Sequence, residues 1–297
     1  MRVHAIGLNR AEVLFRQGKY FVTPQLPSKI GFEASGIVEA VGPDVDKNLI
    51  GQKLITIPSF NMSKYGVYGE VAIVPAYALA AYPEKLSFVE ATSIWMQYIT
   101  AYGALVHHGK ITKNDFVIIT AASSSVGIAA IEICREQGAT SIAITRTRQK
   151  KAELLALGAA HLIVSNEEDI LIRVKQITNN QGARVIFDPI AGPGIEKFAT
   201  ASANQGLIYI YGNLSGEPTP FPLPQARAKG ISIRGYTLFE IVSTPNLRTK
   251  AERYIYEHIE NGAFKPKIAR SFTLDQIIEA HKYMQSNEQI GKIMITI

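Results

Sequence analysis

The residues best suited to chemistry lie in FVIITAASSSVGIAAIEICREQGA (116–139), where an apolar run gives way to small residues and then to a helix-like stretch. Ala122, Ser124 and Gly127 keep a small-x-small-x-x-small spacing, with Ser125 and Val126 between the last two. Such spacing suits a dinucleotide. The first small residue permits a tight turn, the second lets backbone approach a pyrophosphate, and the third lets helix pack closely on strand. A helix starting there would offer N–H groups without intrahelical partners to the phosphate oxygens. Ala and Ser stand where glycine is usual, and an ordinary strand, turn and helix would show the same pattern. About twenty residues after the turn, where many dinucleotide enzymes carry an acid, the run SIAIT (141–145) ends at Thr145, followed by Arg146, Thr147, Arg148 and Lys150. An acid would bind ribose hydroxyls and repel a 2′-phosphate, whereas a hydroxyl followed by cations would hold that phosphate by charge-assisted hydrogen bonds. The expected cofactor is therefore NADPH; a solvated basic loop is the plainer alternative.

The elements that must position these residues form two textures. From Met1 to about Pro83, short apolar runs are broken by Gly and Pro: FEASGIVEAVG (32–42), GQKLITIP (51–58) and YGEVAIVP (68–75). This reads as a β-rich module with turns at Gly42-Pro43 and Pro58. Val3–Leu8 already reads as a strand interior, so one or two edge strands are expected to be missing from its start. EKLSFVEATSIWMQYITAYGALVHHG (84–109) is helical in texture. Strand candidates come next at Phe116–Thr120, Ser141–Thr145, Arg184–Phe187, Leu207–Tyr211 and Ser232–Gly235, a strand and helix alternation that argues a parallel sheet with helices on both faces. The tail reads as helix (LRTKAERYIYEHIENG, 247–262), helix (FTLDQIIEAHKYMQ, 272–285) and strand (GKIMITI, 291–297).

Composition excludes several classes of function. The chain has 297 residues, enough for two domains of ordinary size, and its 47% apolar and 19% charged residues are those of a folded globular protein. A net charge of +6 forms no basic stripe, which argues against nucleic acid and fits a phosphate-bearing cofactor. Cys134 is the single cysteine, so no intramolecular disulfide and no cysteine-rich zinc site can form, and a reducing cytoplasm is the expected compartment. The start lacks a secretory pattern, and no apolar run approaches the ~18 residues of a membrane span.

GLNRAEVLFRQG (7–18), GFEASGIVEAVG (31–42), YGEVAIVP (68–75), WMQYITAYGAL (95–105), ITAASSSVG (119–127), LGA (157–159), IFDPIAG (186–192) and GKIMITI (291–297) together resemble the quinone oxidoreductase, or zeta-crystallin-like, branch of the medium-chain dehydrogenase/reductases. The resemblance runs over nearly the whole chain. It implies an α/β protein in which a doubly wound Rossmann domain, 98–239, is inserted in a GroES-like β-rich catalytic domain made of 1–97 and 240–297. It also implies a homodimer joined through SIRGYTLFE (232–240), which holds the last Rossmann strand.

The resemblance further assigns site residues. Asn9 and Thr100 match polar groups that face nicotinamide and substrate; Gly212, Asn213 and Leu214 match the loop along the nicotinamide ring; Arg146 and Lys150 match contacts to the 2′-phosphate. A tyrosine often found near the adenosine end is Ser165 here. Zinc alcohol dehydrogenases of the same superfamily hold metal with Cys, His and Cys, where this chain has Asn9, Phe32 and Met96. These supply neither thiolate nor imidazole, so no metal is expected. Asn9 could equally cap its own backbone. Tyr98 and Tyr102 read as core packing, His107, His108 and His281 as surface or core residues, and Glu33 as structural. Without a Lewis acid, hydride from NADPH suits a conjugated acceptor, a quinone or α,β-unsaturated carbonyl. The alternatives are alcohol dehydrogenase-like reduction of other carbonyls and an RNA-binding, crystallin-like role.

Overall fold

The computed structural model describes residues 1–297. Its strands, in chain order, are β1 (Arg2–Leu8), β2 (Glu33–Ile37), β3 (Lys53–Thr56), β4 (Leu79–Ala80), β5 (Phe116–Ile119), β6 (Thr140–Thr145), β7 (His161–Val164), β8 (Ala183–Asp188), β9 (Ser202–Ile210), β10 (Ser232–Gly235), β11 (Ile268–Thr273) and β12 (Lys292–Thr296). They form two six-stranded sheets in two compact units. One unit is Met1–Gln97 with Val242–Ile297, and the other is Tyr98–Ile241.

The first unit is the GroES-like one, with sheet order β11-β12-β1-β2-β3-β4. Strand β1 lies antiparallel between β12 and β2, so both ends of the chain meet in one sheet, with Ala5 opposite Thr296 and Gly7 opposite Glu33. Ala5, Ile6, Leu8, Ile55, Ile293 and Ile295 are buried, because this short sheet is covered by helices such as Phe88–Thr92 and Ile277–Ser286. The first of these starts with a reciprocal cap: the Ser87 N–H donates to Glu90 Oε2 at 2.9 Å and the Glu90 N–H to Ser87 Oγ at 3.3 Å.

Two segments depart from the sequence pattern. YGEVAIVP forms no named strand: it makes one isolated bridge, Arg2 opposite Val71, with the Val3 N–H donating to the Glu70 carbonyl at 2.8 Å. Gly69 at φ +156° and Pro75 bracket it and keep it from extending a ladder. Strand β11 ends where the pattern predicts a helix to begin. IARSFT buries only Phe272 and pairs parallel with β12 alone, so its strand character comes from its partner and leaves no alternation to read.

The second unit is a fully parallel sheet, β10-β9-β8-β5-β6-β7. The chain runs outward through β5, β6 and β7, then returns to β8 on the other side of β5, which is the doubly wound order. All five strand candidates fall on strands. Strand β7, HLIV, is not among them because four residues of apolar run carry too little pattern. Both sheet faces are covered, so β5 reads as continuous apolar residues, with Val117, Ile118 and Ile119 all buried. Helix Trp95–Tyr102 continues into a π-helical turn, Gly103–His108, in which the Gly109 N–H reaches the Ala104 carbonyl. A Cβ on Gly103 would lie 2.0 Å from the Tyr236 hydroxyl, so that close approach needs glycine. No helix is long and apolar enough to cross a membrane.

Candidate active site

In a doubly wound sheet, ligands bind beyond the carboxyl ends of the strands, at the point where strand order reverses. Here that point lies between β5 and β8. After β5 the chain turns through Ala121, at φ +46°, into helix Ser125–Glu136. Ser124 caps this helix by accepting the Gly127 N–H at 3.0 Å. The small residues are sterically required: Ala122 is fully buried, and a Cβ on Gly127 would come within 2.7 Å of the Ala122 Cα and carbonyl oxygen. Ser125 and Val126 form the first turn of the helix.

The neighbouring strand ends supply the rest of the rim. Thr145 closes β6 and is buried, while Arg146 and Thr147 beyond it are exposed. Lys150 folds back so that its Nζ donates to Ser123 Oγ at 2.9 Å, which places a cation at the turn itself. Arg148 instead pairs with Glu167 at 2.5 Å on the surface. At the end of β8, the Asp188 carboxylate accepts from Thr120 Oγ1 and from the Ile190 and Ala191 N–H groups at 3.1 and 2.8 Å. Those bonds clamp the two strands at the switch point, and burial raises the Asp188 pKa. Beyond β9, the Leu214 N–H donates to the Pro189 carbonyl at 2.9 Å, and a Cβ on Gly212 would lie 2.8 Å from that oxygen. Asn213 and Leu214 are exposed. The Tyr211 hydroxyl is buried beside Ser124 without a partner at hydrogen-bonding geometry, and desolvation pushes its phenol up. A cradle that a Cβ would fill, an orphaned hydroxyl, open helix N–H groups and a cation fit a dinucleotide pyrophosphate.

In the first unit, Asn9 lies at the junction of β1 and helix Arg10–Arg16. Its Nδ2 lies 3.1 Å from Glu33 Oε2, 3.2 Å from Glu12 Oε1 and 3.3 Å from the Gly7 carbonyl oxygen, all acceptors. Its Oδ1 accepts from Lys292 Nζ at 2.5 Å. Lys292 also donates to Glu33 Oε2, and Glu33 Oε1 accepts the Met96 N–H at 2.8 Å. Glu12 accepts from the Asn9 and Phe32 N–H groups at 2.6 and 3.2 Å. Burial pushes the Glu12 carboxyl up to about 7 against the pull of Lys292 and the Asn9 bond. Asn9 therefore serves this buried network rather than presenting an idle amide. Thr100, also buried, lies one turn beyond Met96 on helix Trp95–Tyr102.

Several of these groups carry little or no signal in the sequence. Glu12, three residues after Asn9, follows the helix-start pattern and could be found from it. Lys292 lies 259 residues from Glu33, and no local signal links them. Tyr98 is core packing, as its pattern implies, and is fully buried, but its hydroxyl also donates to the buried Glu132 at 2.5 Å. His281 is buried with its Nε2 3.4 Å from the Tyr68 hydroxyl, and desolvation lowers its pKa to about 4.

The Asn9, Phe32 and Met96 positions do not fit zinc. The Asn9 amide is engaged on both of its atoms, Phe32 is a buried ring 5.9 Å from Phe60, and Lys292 already supplies a cation to the Glu33 carboxylate. Thioether and amide are poor zinc donors in any case.

A GroES-like unit joined to a doubly wound unit with a phosphate-type turn defines a two-unit dinucleotide oxidoreductase. Residues 1–84 match the family described as alcohol dehydrogenase GroES-like domain, and 125–252 match zinc-binding dehydrogenase. The Escherichia coli quinone oxidoreductase complexed with NADPH superposes with a TM-score of 0.90 at 26% identity, covering 100% of this chain and 90% of that one. A 2-haloacrylate reductase of Burkholderia sp is 27% identical over 99% of this chain and 89% of its own length. The chain also spans 63% of a Danio rerio synaptic vesicle membrane protein VAT-1 homolog, at 28% identity. The chain belongs to the quinone oxidoreductase-like family of the medium-chain dehydrogenase/reductases, a family of oxidoreductases.

Proposed function

We propose that this protein binds NADPH in the second unit and reduces quinones or α,β-unsaturated carbonyls without a metal. The observation that carries the reading is the strand-end rim of β5 and β6: the turn around Ala122, Ser124 and Gly127, Lys150 drawn onto Ser123, and Thr145 where an acid would exclude a 2′-phosphate. NADPH, when bound, supplies the hydride. Ser125, Val126 and the helix N–H groups hold pyrophosphate; Arg146, Thr147 and Lys150 hold the 2′-phosphate; Gly212, Asn213 and Leu214 border the nicotinamide. Asn9 and Thr100 are the polar groups we assign to orienting the nicotinamide and the acceptor. A conjugated acceptor needs no Lewis acid, because the incoming charge delocalises into its own π-system, and the donors at Asn9, Phe32 and Met96 offer none. The NADPH-bound E. coli relative and the haloacrylate reductase support both the cofactor and the acceptor class. The catalytic domain is drawn as 1–97 with 240–297, and the cofactor domain as 98–239.

Purified protein assayed with NADPH against a benzoquinone and an enone should turn over at least one of them, with no stoichiometric zinc by elemental analysis and no loss of rate with a chelator. One tightly held zinc per chain, with activity lost on chelation, would overturn the metal-free reading.

Strand β10 pairs with β9 on one side only and exposes Ser232, Arg234 and Gly235. We infer that it pairs with its copy to make a homodimer, since an open edge is a liability that symmetric pairing removes. Light scattering at micromolar concentration should give twice the chain mass; a single-chain mass argues against it.

A further inference from the structure

We propose that Lys292 and Glu33 are positioning residues for the reductive reaction, acting on Asn9 and on the start of the helix that carries Thr100; this rests on the reductase reading above. The pair is built from distant parts of the chain. Lys292 opens β12 and Glu33 opens β2, on either side of β1, and their side chains are 1% and 0% exposed. Between them β1 carries Gly7, where a Cβ would lie 2.9 Å from Lys292 Cε and 3.3 Å from Glu33 Oε2. Glycine at that point leaves the passage through which the lysine reaches the carboxylate.

Both carboxylate oxygens have separate tasks. Oε2 takes the ammonium and the Asn9 amide, while Oε1 takes the Met96 N–H. Met96 is in the first turn of helix Trp95–Tyr102, and its N–H donates to this carboxylate. A carboxylate there satisfies the donor, complements the helix dipole and fixes where the helix begins. Thr100 follows one turn later in the same helix. The ammonium in turn holds Asn9 Oδ1 at 2.5 Å. Replacing a buried ion pair by apolar groups of similar volume is often neutral or stabilising. Fold stability is therefore a weak reason for this pair, and geometry a better one.

The test uses Lys292→Met, Lys292→Arg and the paired replacement Glu33→Leu/Lys292→Met, which leaves no unpaired buried charge. Three quantities are measured: kcat and KM for a quinone at saturating NADPH, Kd for NADPH, and the emission of Trp95, the single tryptophan, which neighbours Met96. The double variant should fold, bind NADPH within about twofold of wild type, lose roughly tenfold or more in kcat, as misplacement by ~1 Å can, and shift the Trp95 emission. Lys292→Arg should recover part of the kcat lost in Lys292→Met. A double variant with wild-type kcat and an unmoved spectrum would overturn the proposal, and so would equal rates in the Met and Arg variants. A wild-type chain that binds NADPH yet reduces neither quinone nor enone overturns the reductase reading instead. The Trp95 spectrum of the double variant then decides the pair: a shift upholds it, and no shift overturns it.

Discussion

The two units treat charge in opposite ways. In the first, Glu12, Glu33, Lys292 and Asn9 are buried and complete one another, so the positive charge facing the carboxylates is part of the chain. In the second, the positive elements at the strand ends face outward: the Ser125–Glu136 helix N-terminus, Arg146 exposed, and Lys150 resting on a serine hydroxyl. A closed network sets geometry, because a buried charge tolerates only one arrangement of partners. An open one is suited to a ligand that brings the negative charge itself.

The comparison can be sharpened by disturbing each side. The largest effect is expected in the closed network through pH. Glu12 has an ordinary pKa of 4.5 and is raised to about 7 by burial. Between these values the folded chain holds a proton that the unfolded chain releases, so stability falls as pH rises, by roughly 3 kcal/mol across the window. Glu12→Gln should abolish that decline, measured as the wild-type minus variant difference in chemical denaturation from about pH 3.5 to about pH 8, which brackets the two values. His281, lowered to about 4, gives an opposite slope that is common to both proteins and cancels. Parallel stability curves would show that Glu12 is not held protonated.

A smaller effect is expected at the turn. In Gly127→Ala the new methyl meets Ala122 backbone atoms at 2.7 Å, which cannot swing aside as a side-chain end could. Overpacking of this kind costs about 1–3 kcal/mol. The variant should show a lower Tm and weaker NADPH binding together. If both are unchanged, the cradle is looser than its contacts imply.

Smallest is the cation. Lys150→Ala should raise the Kd for NADPH about tenfold, equivalent to about 1.4 kcal/mol, and leave NADH almost untouched. Fluorescence titration with both cofactors measures this directly. Equal weakening of the two would move Lys150 from the 2′-phosphate to the pyrophosphate.

By itself the sequence determined the features that depend on neighbours along the chain. The turn Ala122-x-Ser124-x-x-Gly127 and five of the six parallel strands were legible because strand burial, helix capping and tight turns are local demands met by local residues. Thr145 and the cations after it were legible for the same reason. The tertiary structure alone decided the features that depend on pairing across the chain. Strand β11 has one buried residue and exists because β12 lies beside it. Glu33 in isolation is an acid after a phenylalanine, and Lys292 a lysine after a glycine. Only β1, carrying Gly7 between them, turns the two into a buried ion pair that holds Asn9 and the Met96 N–H. The cost of burying a charge is set by the atoms that surround it in space, and no sequence window contains them.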